Sequence, residues 1–151
     1  VSQLGIVGSP INGVSLNPFL KLAGVPWIAH LIWRIPITLR LVMWIILAGD
    51  SKRVRDMIFR DVNKTSTESF FRSIGDLHHT DLRARLAQIE VPSIGIFGVR
   101  DNIVHPNQSR LMEAGIRGAQ VEMFHGSRHF VMLDEPERFN ELLLDFLQRH
   151  Q

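Results

Sequence analysis

Val91-Pro-Ser-Ile-Gly-Ile-Phe-Gly-Val-Arg-Asp101 is followed, 28 positions after its aspartate, by the histidine of Gly126-Ser-Arg-His-Phe-Val-Met-Leu-Asp-Glu-Pro136. These two stretches decide how the chain folds. The first is an apolar run that ends at Gly98 and then delivers a carboxylate. Apolar residues without polar alternation, bounded by Pro and Gly, read as a strand covered on both faces. Asp101 then emerges beyond the strand's C-terminal end, the edge where open α/β sheets keep their ligand sites. In the second stretch His129 follows another apolar run, residues 120–124, and precedes Phe130. A histidine so placed can take a proton from a nucleophile and return it to a leaving group. Taken singly, Asp101 is an ordinary turn residue beside Asn102 and His129 an ordinary loop histidine. Their joint surroundings single them out.

Working outward, residues 4–7 form a further short apolar run, so three strands are predicted: 4–7, 93–98 and 120–124. Helical patterns follow the second and third. Pro106 suits the first turn of a helix running through Leu111 and Met112 towards Ile116 and ending near Gly118. Pro136 opens another, with Phe139, Leu142, Leu143, Phe146 and Leu147 on one face. Strand–helix–strand–helix spacing predicts an α/β fold, a parallel sheet with right-handed crossovers. Between the first two strands lie 85 residues, far more than one crossover needs, and they hold all three Trp. The expected organisation is a core strand and entry at 1–17, a helical insertion with its return linker at 18–88, and a C-terminal α/β core at 89–151.

The acid segment and the run from His129 to Phe139 resemble the acid and histidine loops of the α/β-hydrolase family. Val1-Ser-Gln-Leu-Gly-Ile-Val-Gly-Ser-Pro10 is similar to that family's strand after the nucleophile helix, and Asp81 to Pro92 to its return from cap to core. The resemblance implies the C-terminal part of an α/β-hydrolase sheet with a helical cap insertion. It implies that His129 is the general base and that Asp101 orients it, in the family order nucleophile, acid, histidine. It implies an esterase-like hydrolase acting on a small apolar carbonyl substrate, with no cofactor and no metal. Dehalogenases and epoxide hydrolases with an Asp nucleophile, C–C bond hydrolases, perhydrolases and a non-catalytic ligand-binding module share the scaffold. Arg128 departs from the small residue often found before the histidine and is expected to face solvent.

The nucleophile itself is missing from these residues. Gly13-Val-Ser15-Leu-Asn17 is the nearest approach to a Gly-x-Ser-x-Gly elbow, but Ser15 lies several residues past its strand and Pro18 follows. Ser9 ends a strand, but Pro10 after it has no N–H for an oxyanion hole. The chain begins at Val1 and enters a strand almost at once, so it reads as the C-terminal piece of a longer polypeptide. It is expected to be inactive alone. Its first strand is expected to be covered by the N-terminal half of the same protein or by a second copy.

Composition narrows the alternatives. A hydrophobic content of 45% with 21% charged residues is that of a globular chain. The absence of Cys excludes disulfides and a Cys nucleophile. Lys21, Arg34 and Arg40 face no acid before Asp50, and the rest holds 14 bases against 15 acids, giving no dense basic patch and no expected nucleic-acid partner. His78, His79 and Asp81, with His105 or His125, are the metal-ligand candidates, but adjacent helical histidines point about 100° apart and no metal site is expected. Leu22 to Leu47 is apolar, yet Leu22 to Trp33 is its longest stretch free of charge, short of the ~20 residues a span needs. A buried helix pair over an apolar pocket is the favoured reading. The alternative, a lid touching lipid through Trp27, Trp33 and Trp44, is disfavoured. Without a targeting segment to read, a cytoplasmic location is the default.

Overall fold

The structure, a computed structural model, describes residues 1–16, 52–62 and 67–150, with the single positions 18, 25, 27 and 64. Strand β1 (Leu4–Val7) leads to a 3-10 turn (Gly13–Ser15). Helices α1 (Lys52–Val62) and α2 (Thr67–His79) and a second 3-10 segment (Arg83–Gln88) come next. Then follow β2 (Ser93–Gly98), α3 (Gln108–Gly115), β3 (Gln120–Phe124), the short α4 (Val131–Asp134) and α5 (Pro136–Arg149). Of the insertion at 18–88, the stretch Leu22–Leu47 lies outside the described residues apart from positions 25 and 27, and with it Trp33, Trp44 and the pocket expected beneath the helix pair. Trp27 is exposed. Among the described residues no helix is long and apolar enough to cross a membrane.

The sheet is parallel, in the order β1-β2-β3. Leu4 stands opposite Ser93, and Ile94 opposite Gln120. All six residues of β2 are buried, as a strand without polar alternation must be. β1 and β3 are only partly covered, because each has a neighbour on one side among the described residues.

The side-chain period of two splits β2 between two cores. Ile94 and Ile96 join Phe124, Val131 and Phe146 on the α5 face. Phe97 joins Ile11, Leu86, Met112 and Ile116 on the α3 face. Gly95 makes the second arrangement possible: a Cβ there would lie 2.4 Å from the Met112 sulfur and 2.7 Å from the Phe97 ring. Fully burying each of these large side chains contributes about 1.5–3 kcal/mol.

Two helix boundaries differ from expectation. Pro106 lies before α3, in a turn whose carbonyl accepts from the Ser109 N–H and hydroxyl, and the helix starts at Gln108. It ends at Gly115, since Ile116 is extended and buries its side chain in the α3-side core. α5 places Phe139, Leu142 and Phe146 on the sheet, but Leu147 is exposed. The last turn of α5 runs past the start of β1, where the Gln3 side-chain amide donates to the His150 carbonyl at 2.6 Å.

Candidate active site

Beyond the C-terminal ends of the three strands, two loops converge. β2 ends at Gly98 and turns tightly, the Asp101 N–H donating back to the Gly98 carbonyl at 3.3 Å. The Asp101 side chain is then 2% exposed. Its Oδ1 accepts the N–H groups of Ile103 at 2.8 Å and Val104 at 3.0 Å. Its Oδ2 lies 2.9 Å from His129 Nδ1. A buried carboxylate is costly unless hydrogen-bonded, and here three donors serve it.

His129 comes from the loop after β3 and keeps 21% of its side chain exposed. A carboxylate can only accept, so Nδ1 carries the shared proton and Nε2 presents its lone pair. No described residue bonds to Nε2. The ring meets Phe130 edge-on, centroids 5.0 Å apart and planes at 73°.

Glycines allow the loops to approach. Gly8, just past β1, has φ of +53°, and a Cβ on it would lie 3.1 Å from the His129 carbonyl oxygen and 3.5 Å from Nδ1. At Gly98 a Cβ would lie 2.0 Å from the Arg128 carbonyl oxygen and 2.7 Å from that of Ser127. The histidine loop therefore lies directly on the end of β2. It is tied there by the Val99 N–H to the Phe124 carbonyl at 3.0 Å and the Arg100 N–H to the Ser127 carbonyl at 3.1 Å. On the other side Ser127, fully buried, donates its hydroxyl to Glu135 at 2.6 Å. The Arg128 N–H donates to Asp134 at 2.9 Å, and the Arg128 side chain is half-buried where solvent was expected.

The sequence thus brought Asp101 and His129 forward, and the fold brings them together. Gly8, Gly98, Ser127, Asp134 and Glu135 were not singled out. Gly98 carried a signal, being the small residue that closes the strand ahead of the acid; Ser127 and Glu135 carried none. Neither of the serines set aside as nucleophiles sits in a strand-to-helix elbow. Ser9 is exposed and donates to the Val7 carbonyl at 3.1 Å. Residues 13–15 form a 3-10 turn anchored by the Gly13 N–H to the Thr80 carbonyl at 2.9 Å, not a strand-to-helix elbow.

Two of the metal candidates are otherwise engaged, whereas His78 Nδ1 is buried without a hydrogen-bond partner. Asp81 is bonded to the Arg83 guanidinium, which holds its carboxyl down to about 2. His105 Nδ1 accepts the Asn107 N–H at 3.1 Å. Among the described residues no three such groups cluster. A cavity of about 670 Å³ borders Asp101 on the α3 side, between Leu16, Ile103, His105 and Gln108.

This architecture is shared with known enzymes. An esterase from Exiguobacterium antarcticum superposes on 98% of the chain with a TM-score of 0.79 at 23% identity, the match covering 57% of that enzyme. The enol-lactonase of Burkholderia xenovorans LB400 does so with a TM-score of 0.79 at 18% identity, over 98% of this chain and 56% of that one.

The chain has the α/β-hydrolase fold.

No family model matches the chain. In sequence it is similar to the 2-hydroxy-6-oxononadienedioate/2-hydroxy-6-oxononatrienedioate hydrolase of Escherichia coli, 24% identical over 99% of this chain and 54% of that protein. The corresponding hydrolase 2 of Pseudomonas putida is 34% identical over 68 residues, which are 45% of this chain and 24% of that protein. The chain spans about half the length, or less, of these curated relatives.

Proposed function

We propose that this chain supplies the general base and the orienting acid of a hydrolase that works through a serine nucleophile. The observation that carries the reading is the 2.9 Å contact between Asp101 Oδ2 and His129 Nδ1, which leaves Nε2 free to act as base. In this mechanism Nε2 takes the proton from the nucleophile hydroxyl as that oxygen attacks the substrate carbonyl. Asp101 stabilises the imidazolium. The imidazolium then gives its proton to the departing alkoxide, and a water activated by the same Nε2 releases the acid product. The nucleophile and the oxyanion-hole N–H that follows it are supplied from outside residues 1–151, because no Gly-x-Ser-x-Gly occurs within them. A small apolar ester is the first substrate choice, in keeping with an esterase among the structural neighbours.

A second reading has its own support. The curated relatives are named as hydrolases of 2-hydroxy-6-oxononadienedioate, which favours a carbon–carbon bond beside a ketone as the group cleaved. The same base and acid serve both reactions; the bond broken differs.

The test is an assay with p-nitrophenyl butyrate and, separately, a 2-hydroxy-6-oxodienoate. The chain alone is expected to turn over neither. The polypeptide extended upstream through a serine elbow is expected to turn over one of them, with Asp101→Asn lowering kcat by about 10⁴. Turnover by the unextended chain that disappears in Ser15→Ala or Ser9→Ala would sink the proposal, and an Asp at the elbow would redirect it to dehalogenase or epoxide chemistry.

A further inference from the structure

Ser127 is the point at which the two loops are joined. Its carbonyl accepts the Arg100 N–H, one residue before Asp101, at 3.1 Å. His129 lies two residues further along, so Asp101, Arg100, Ser127, Arg128 and His129 close a ring through the 2.9 Å acid–imidazole contact. What holds Ser127 in place therefore bears on that contact. Beneath it, Gly98 leaves no room for the peptide to sink further towards β2.

Above it stands Glu135, at the junction of α4 and α5. Its Oε1 accepts the Ser127 hydroxyl at 2.6 Å, and a Cβ on Gly126 would lie 3.2 Å from the same oxygen. The approach of the carboxylate thus uses the glycine beside the serine. Its Oε2 lies 3.4 Å from Arg138, whose guanidinium covers the Phe124 ring at 3.9 Å and donates to the Met123 carbonyl at 3.3 Å. The carboxylate is thereby referred back to the end of β3, the strand that launches the histidine loop. The neighbouring Asp134 takes the Arg128 N–H. A charge-assisted O–H···O bond of this length is among the stronger ones a loop can make.

We infer that Glu135 is a positioning residue for His129: closed on Ser127, it sets the height of the histidine loop over β2 and with it the Asp101–His129 separation. The inference rests on the pairing of Asp101 with His129 as base and acid. Glu135 acts through Ser127 and not on substrate.

The low-field proton resonance of His129 Nδ1–H in the 151-residue chain reads the pair without any substrate, and its exchange with solvent reads how firmly the pair is closed. Ser127→Ala and Glu135→Ala are expected to speed that exchange about tenfold, the loss of one charge-assisted hydrogen bond. Glu135→Gln keeps an acceptor oxygen for Ser127 and is expected to stay within about twofold of the parent. Leu142→Ala loosens the packing of α5 on the sheet but leaves Ser127, Glu135 and Arg138 in place, so it is expected to lower the urea midpoint without speeding exchange.

Exchange unchanged in Ser127→Ala overturns the inference, and so does exchange accelerated equally by Leu142→Ala, since the effect would then follow stability alone. Ser127→Ala, which removes a single oxygen, decides the matter if Glu135→Ala does not fold. Failure of the proposed chemistry is seen separately, as absent turnover in the extended polypeptide while the resonance and its dependence on Glu135 persist.

Discussion

At the scale of single residues, Gly98 and Gly5 make a contrast. Both belong to strands, but a Cβ on Gly98 would meet two carbonyl oxygens of the histidine loop, whereas one on Gly5 has only Ile94 Cγ2 nearby, at 4.0 Å. Backbone cannot swing aside as a flexible side chain can. Gly98→Ala is therefore expected to cost about 2–3 kcal/mol in urea unfolding and to separate Asp101 from His129, while Gly5→Ala stays within about 0.5 kcal/mol of the parent. Asp81 gives a second test. The Arg83 side chain and N–H hold its carboxyl down to about 2 from 3.8. A folded-state value below the unfolded one stabilises above about pH 3.8, and the contribution is lost as pH falls through about 2. The expected outcome is an Asp81 carboxyl carbon that titrates near 2 by NMR and moves up in 1 M salt, because the pair is solvent-exposed and screened.

At the scale of elements, α5 divides by burial. Phe146 is 2% exposed in the core with Ile94, Ile96 and Phe124, whereas Leu147 is 38% exposed. Phe146→Ala is expected to lower stability by about 3–5 kcal/mol and Leu147→Ala by less than about 0.5 kcal/mol, read from denaturant midpoints. The strands were legible because an unbroken apolar run bounded by Gly and Pro has few other structures open to it. The histidine and its acid were legible because both sit in long, specific surroundings. Helix ends were less so: Pro106 is compatible with a first helical turn, and only its carbonyl bonds to Ser109 place it in the preceding turn. Leu147 carries the right spacing, but spacing does not tell how far the sheet extends beneath a helix. The Ser127–Glu135 bond had no sequence signal, since it joins residues that belong to no regular period and meet only because β3 and α5 bring them together.

At the scale of the whole molecule, the sheet is asymmetric in its covering. β2 is buried along its length, and β1 pairs with β2 alone among the described residues. Among the described residues no strand pairs with the far edge of β1, and an edge left so templates pairing with another strand. The chain by itself is expected to associate, eluting earlier in size exclusion as concentration rises. Gly5→Lys, at an exposed position of that strand, is expected to shift it towards monomer with its circular dichroism unchanged.

The two oxygens of Asp101 are bound on different length scales. Oδ1 is engaged two and three residues away, at Ile103 and Val104, while Oδ2 reaches a partner 28 residues on. Closing a short loop is entropically cheaper and faster than closing a long one. During refolding the acid is thus expected to be locked in its rotamer by its own turn before the imidazole arrives. Assembly of the pair becomes a matter of docking one mobile loop onto a finished carboxylate, not of two loops searching for each other.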